Sequence, residues 1–183
     1  MIYQPAEDSY LLSNIIKSKL KGKNKSIAIL DMGSGSGIQT QTCNDLGFQN
    51  VISADINPEV INHLKKKNFK TIQTNLFSKI SKDQKFDLII FNPPYLPEDK
   101  REPKDSMLNT TAGKKGYEII TNFLKQARDY LSESGKIFLL FSSLSQPKTI
   151  LDESKGLGYK SKLLSKEKLD FEELYVYEFS KLI

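Results

Sequence analysis

The chain has one cysteine, Cys43, and one histidine, His63, in 183 residues. A lone cysteine excludes an internal disulfide, and one Cys with one His cannot build a Cys/His zinc cage. No Ser/His/Asp or Cys/His hydrolytic set is evident. Arginine is almost as scarce. Of 27 basic residues, only Arg101 and Arg128 are arginines, so the net charge of +5 is carried by lysine. Arginine makes the bidentate contacts that read phosphates and guanines. A lysine surface therefore argues for solubility rather than a built nucleic-acid site. Long apolar runs are also missing. The longest, Leu88 to Phe91 and Ile137 to Phe141, are strand-sized, well short of the roughly 18 residues a transmembrane helix needs. The opening MIYQPAEDSY places acids and a proline where a secretory signal has a basic start and an apolar stretch. A cytoplasmic location is the expectation, with no membrane partner.

What is present is an ordinary globular composition, 38% hydrophobic and 27% charged. The length suits one domain, with residues 1–25 as an N-terminal helical cap and 26–183 as the core. Leu11, Leu12, Ile15, Ile16 and Leu20 recur at helical spacing over 7–21. The alternating lysines from Lys17 to Lys25 make a solvated face. Strands are expected at 26–32, 51–56, 70–75, 86–91 and 136–143. Helices are expected at 38–46 (stopped by Gly47), 58–67 (started by Pro58), 117–131 (closed by Gly135) and 146–155. The last strands, 159–165 and 172–180, have no helix between them and should pair antiparallel. Regular alternation implies an α/β, three-layer, Rossmann-like sandwich: a mostly parallel seven-stranded sheet with an antiparallel C-terminal strand. His63 and Cys43 fall on expected helices and read as surface or packing residues.

Ligands in such sheets sit beyond the carboxyl ends of the strands. The first loop there is Asp31-Met32-Gly33-Ser34-Gly35-Ser36-Gly37. Its glycines permit close backbone approach, but Ile38 stands where a dinucleotide fingerprint needs its last glycine. Asp31 would repel a pyrophosphate and favour a cationic ligand. S-adenosylmethionine carries an ammonium and a sulfonium and no phosphate. Asp55, ending the second strand, can accept from both ribose hydroxyls. Asn75-Leu76-Phe77 offers an amide to an adenine edge and apolar faces to its ring.

The reacting loop is Asn92-Pro93-Pro94-Tyr95, directly after the fourth strand. The Asn92 side-chain carbonyl and the Pro93 main-chain carbonyl are two acceptors that can hold one planar NH2, with Tyr95 stacked on its face. An amide or exocyclic amine nitrogen is a poor nucleophile because its lone pair is delocalised. Acceptors on both N–H bonds favour a more tetrahedral nitrogen and stabilise its growing positive charge. In-line placement against a sulfonium methyl is then chiefly positioning.

These residues carry a resemblance. Asp31 to Gly37, Asp55 and Asn92-Pro93-Pro94-Tyr95 resemble class I S-adenosylmethionine-dependent methyltransferases that methylate amino groups. Tyr3-Gln4-Pro5-Ala6-Glu7-Asp8-Ser9 and Glu173-Leu174-Tyr175-Val176-Tyr177 narrow it to the HemK/PrmC-like release-factor glutamine methyltransferases, in their short archaeal/eukaryotic form. The resemblance implies N5-methylation of the glutamine in the Gly-Gly-Gln motif of a peptide-chain release factor. It implies S-adenosyl-L-methionine as cofactor, bound by Tyr3, Pro5, Glu7, Asp8, Ser9, Asp31, Gly33, Ser34, Gly35, Gly37, Asp55, Ile56, Asn75, Leu76 and Asn92. Asn92, Pro93, Pro94 and Tyr95 would be catalytic, and no metal is bound by the chain itself. Glu7, Asp8 and Ser9 would close over the cofactor. A small zinc-binding activator protein would be the heterodimer partner, adding to the sheet at the edge of the third strand. Two alternatives remain: a DNA or RNA adenine or cytosine N-methyltransferase, and a cofactor-binding scaffold without catalysis. The polar stretch 98–116 is expected to be a lid, a binding loop or disordered.

Overall fold

The computed structural model describes residues 2–95 and 116–182. The stretch 98–115 of the expected lid lies outside them. The elements run α1 (Glu7–Leu20), β1 (Ile29–Met32), α2 (Ile38–Asp45), β2 (Val51–Asp55), α3 (Pro58–Lys66), β3 (Lys70–Gln73), β4 (Phe86–Phe91), α4 (Glu118–Tyr130), β5 (Leu131–Ser142), a 3₁₀ turn (Ser143–Ser145), α5 (Pro147–Gly156), β6 (Tyr159–Lys168) and β7 (Glu173–Lys181). The seven strands form one sheet in the order β3-β2-β1-β4-β5-β7-β6. Only β7 runs against its neighbours, antiparallel to both β5 and β6. The expected sheet is therefore present. The feature that periodicity could not supply is the insertion of β7 between β5 and β6.

Alternation along the central strands explains the layers. Ile29, Leu88, Ile90, Phe138 and Leu140 face α1 and α2 and pack with Leu12, Ile16 and Cys43. Leu30, Met32, Ile89, Phe91 and Leu139 face the other way, toward Ile120, Phe123 and Leu124 of α4 and Ile150 of α5. Both faces are covered, so the central strands read as continuous apolar runs. Cys43 is fully buried and burial pushes its thiol up, as befits a packing residue. Among the described residues, no helix is long and apolar enough to cross a membrane.

Several boundaries differ from expectation, β3 ending at Gln73 rather than 75 and β6 running to Lys168 rather than 165 among them, and three differences have a visible cause. β1 begins at Ile29 rather than 26; at Ala28 the N–H donates to the Asp87 side chain (Oδ2, 2.9 Å), while the carbonyl still accepts from Asp87 N and Leu88 N. Residues 143–145 form a 3₁₀ turn with a capping box on Ser142. Gly135 does not close a helix. The helix ends at Tyr130, Leu131 turns straight into β5, and Gly135 lies where the β4–β5 register shifts between Phe86 and Leu88. A Cβ at Gly135 would sit 2.8 Å from both the Phe86 carbonyl oxygen and Leu131 Cγ.

The two borders of the sheet differ. β3 is short and, among the described residues, pairs only with β2. β6 exposes Lys160, Lys162, Lys166 and Lys168 along its free border, a standard protection against further strand pairing.

The close approach at Gly135 predicts that Gly135→Val destabilises the chain by about 1–3 kcal/mol through overpacking. Urea unfolding should show a lower midpoint with an unchanged m-value. An unchanged midpoint would mean that the bulge can relax.

Candidate active site

Parallel register brings the loops together. Met32 lies opposite both Ala54 and Phe91, and Asp55 opposite Gln73. The chain therefore leaves β1, β2, β3 and β4 at one level, so the glycine loop, Asp55, Asn75 and Asn92 share one rim.

At the glycine loop the structure separates roles that the sequence grouped. A Cβ at Gly35 would meet only the Gly33 carbonyl oxygen, at 3.9 Å, so this backbone is open to a ligand. Gly37 is different: its Cβ would lie 2.5 Å from Leu64 and 3.0 Å from Phe69, so it serves the seating of α3. Ser34 is buried, and its hydroxyl donates to the Asp31 carbonyl at 2.7 Å. Its side chain is structural rather than ligand-facing.

Asp31 is 2% exposed. Its Oδ2 accepts from Thr40 N at 3.1 Å and Thr40 Oγ1 at 2.7 Å. The start of α2, Gly37, makes no side-chain cap of its own. Asp31 reaches across from β1 and satisfies an orphan N–H of the first turn, where negative charge is favoured. Burial nevertheless pushes its carboxyl up to about 7, against the opposing pull of the Thr40 donors. The expected direct role at a cation gives way to this capping role.

Asp55 ties the first two loops together. Its Oδ2 accepts from Gly35 N at 3.1 Å and its Oδ1 from Asn57 N at 2.8 Å. Asn57 in turn caps α3 through Glu59 N, with Pro58 following. Burial raises the Asp55 carboxyl, and the N–H groups of Asn57, Gly35 and Ile56 counter that rise. Unlike Asp31 it is only partly buried, and Ile56 beside it is 59% exposed. Asn75 is exposed and Leu76 mostly buried, with a left-handed φ of 47°. Phe77 corrects the expectation of an adenine face. It is buried and stacks on Tyr130, 4.5 Å between ring centroids.

At the reacting loop, Asn92 Nδ2 donates to Asp8 Oδ2 at 2.9 Å. Asn92 Oδ1 is buried and has no partner among the described residues. Pro93 is buried, and the Tyr95 carbonyl accepts from Ser145 Oγ at 2.7 Å. Burial, then the charges of Asp8 and Glu172, push the Tyr95 phenol above its ordinary range; Tyr3 is raised by burial and Asp8 in the same way. Both rings stay protonated, so neither is a phenolate base. The N-terminal trio also divides. Glu7 is exposed, Asp8 binds Asn92, and the buried Ser9 gives its carbonyl to Gln39 Nε2 at 2.9 Å. Tyr3 donates to Asp8 Oδ1 at 3.1 Å, and Pro5 stays partly exposed. Ser145 and Glu172 were not anticipated; both come from segments with no local signal that places them near Tyr95.

The sheet order, the open glycine turn and the acid at the end of β2 define a class I methyltransferase. The family model described as Eco57I restriction-modification methylase matches residues 10–174. A Methanocaldococcus jannaschii protein provisionally named protein N5-glutamine methyltransferase MJ0928 is 36% identical, over 96% of this chain and 89% of its own. The human protein named methyltransferase HEMK2 is 27% identical, over 98% of this chain and 90% of its own. The E. cuniculi Mtq2-Trm112 complex, described as methylating the eRF1 translation termination factor, contains a chain that superposes with a TM-score of 0.80 at 24% identity, covering 98% of both. This chain belongs to the family of protein N5-glutamine methyltransferases within the amino-methylating class I enzymes.

The Asp31 environment predicts an inverted pH dependence. Unfolded, Asp31 titrates from 3.8; folded, it holds its proton to about 7. Between those values the unfolded chain binds fewer protons, so this group lowers stability as pH rises, by up to about 1.4 kcal/mol per pH unit, and contributes no further slope above it. Asp31→Asn keeps an oxygen for Thr40 and should remove that slope. Urea midpoints from pH 5 to 8 should converge on, then cross in favour of, the variant. Parallel curves would show that Asp31 is ionised throughout.

Proposed function

We propose that the chain is an S-adenosylmethionine-dependent methyltransferase acting on the glutamine side-chain amide of the Gly-Gly-Gln motif in a peptide-chain release factor. The observation that carries this reading is the buried Asn92 Oδ1 at the end of β4, which has no hydrogen-bond partner among the described residues and belongs to a residue whose main-chain oxygen lies 4.0 Å from a Cβ placed on Gly33 in the glycine loop.

The residues fit the cofactor. Gly35 leaves room for close approach, Asp55 keeps a partly exposed carboxylate for ribose hydroxyls, and exposed Ile56 offers an apolar face to a base. Asp31 holds the loop from beneath. When bound, S-adenosylmethionine supplies an electrophilic methyl on a sulfonium. The protein's own contribution is at the nitrogen. Asn92 Oδ1, with the Pro93 carbonyl, accepts the two N–H bonds of the amide and fixes its plane. Those oxygens draw charge away from the hydrogens, lend the nitrogen more electron density and stabilise the positive charge that it acquires. Tyr95, a neutral ring, lies along the flat face. The product nitrogen is acidic enough to lose its proton without a strong base, and none of the tyrosines here supplies one.

The reading extends to a small zinc-binding partner at the β3 border and to a cytoplasmic setting, where release factors work. Among the described residues β3 pairs only with β2, so a partner strand could add there. The restriction-modification model favours a second reading, in which the same oxygens hold the exocyclic amine of a flipped nucleobase.

One assay separates the two. The chain, alone and co-expressed with a zinc-binding candidate, is incubated with labelled cofactor and either a Gly-Gly-Gln release factor or DNA and RNA. Mass spectrometry should find one methyl on the glutamine, more with the partner, and none on nucleic acid; label on nucleic acid alone would reverse the assignment. Asn92→Ala should lower kcat by about 10²–10³-fold, with cofactor affinity by calorimetry nearly unchanged.

A further inference from the structure

Asp8 is 4% exposed, and both of its oxygens are engaged. Oδ1 accepts from Tyr3 OH at 3.1 Å, Ser9 N at 2.6 Å and Ser9 Oγ at 3.2 Å. Oδ2 accepts from Asn92 Nδ2 at 2.9 Å. Little of this carboxylate is left to face a cofactor, although the N-terminal motif suggests that role.

Its consequence for Asn92 is directional. A primary amide is nearly symmetric in shape, so packing alone hardly distinguishes its oxygen from its nitrogen. A carboxylate does, because it only accepts. With the NH2 end on Asp8, the bond is charge-assisted. With the amide reversed, Oδ1 would abut a carboxylate oxygen with no hydrogen between them. The reversed state is thus disfavoured, and Oδ1 points to the side where, among the described residues, no hydrogen-bond donor meets it.

We infer that Asp8 is a positioning residue that fixes the Asn92 amide with its oxygen toward the substrate nitrogen. The inference rests on the reading of Asn92 as the group that grips the substrate NH2. The negative charge on the Nδ2 side also polarises the amide, making Oδ1 a stronger acceptor. Ser9 and Tyr3 hold Asp8 in turn, and Gln39 holds the Ser9 carbonyl from α2. The first helix therefore orients the reacting loop, rather than only covering the ligand.

The test uses the full chain in two arms. In the first, methyl transfer and cofactor affinity are measured separately. Asp8→Ala should lower kcat about tenfold to a hundredfold, with cofactor Kd within about twofold of wild type. Asp8→Asn, which can still present an oxygen to Asn92, should retain severalfold more activity. Asn92→Asp sets two carboxylates face to face and should be inactive. The double variant D8N/N92D exchanges donor and acceptor across the same contact and should recover at least about tenfold over N92D, a rescue that a merely structural Asp8 would not give. The inference is overturned if Asp8→Ala weakens cofactor binding while kcat holds, or if the exchange gives no recovery.

The second arm needs no substrate. In ¹⁵N-labelled protein, the Asn92 side-chain NH2 should show one downfield, slowly exchanging proton that shifts upfield in Asp8→Ala and partly in Asp8→Asn. An unchanged resonance overturns the inference whatever the substrate proves to be. Failure of the wild type to methylate Gly-Gly-Gln, with this signature intact, would instead reject the functional reading alone.

Discussion

The site depends on parallel register at the centre of the sheet. Because Met32 is level with Ala54 on one side and Phe91 on the other, the chain leaves three strands at the same height. A parallel strand slipped by one residue would turn its alternate side chains to the wrong layer. The two apolar faces packed by α1 with α2 and by α4 with α5 penalise such a slip. The geometry at the rim is thus secured by burial elsewhere: loops that would be mobile alone are held by strands that cannot move independently.

Three aspartates at that rim have three different settings. Asp31 is sealed beneath the glycine turn and caps α2. Asp55 is partly open and laces the first turn to the second. Asp8 arrives from α1 and meets the loop after β4. Their chemistry is the same carboxylate; solvent access and the donors around each one set its work. The sealed acid shapes a helix, the partly open one joins two loops, and the third accepts a hydrogen bond from the Asn92 amide.

Much of the architecture was legible in the residue order. Four-residue apolar runs, Gly47 and Pro58 mark strands, stops and starts through local physics alone, and the structure follows them. Gly135 misled because a glycine after a helical pattern resembles a stop, whereas here the chain enters a strand at once and the glycine relieves crowding against Phe86. Phe77 misled because its position after β3 suggested a ligand face, yet the α4 side of the core had room for its ring. The Asp8–Asn92 bond joins residues 84 apart in sequence, and no local pattern encodes such a pair. Motif residues were thus easier to find than their partners. A motif lies in a short window, whereas the contact that gives it direction is made only by the folded chain.

The unequal borders of the sheet set a limit on assembly. Continuous growth of a β-array requires each unit to offer one compatible side and accept another. Here four exposed lysines line the β6 side against a newcomer, while the short β3 side carries one, Lys70. Strand-by-strand stacking is more strongly opposed at β6 than at β3, so an addition at β3 leaves only guarded borders outward, a geometry that works against a route to filaments.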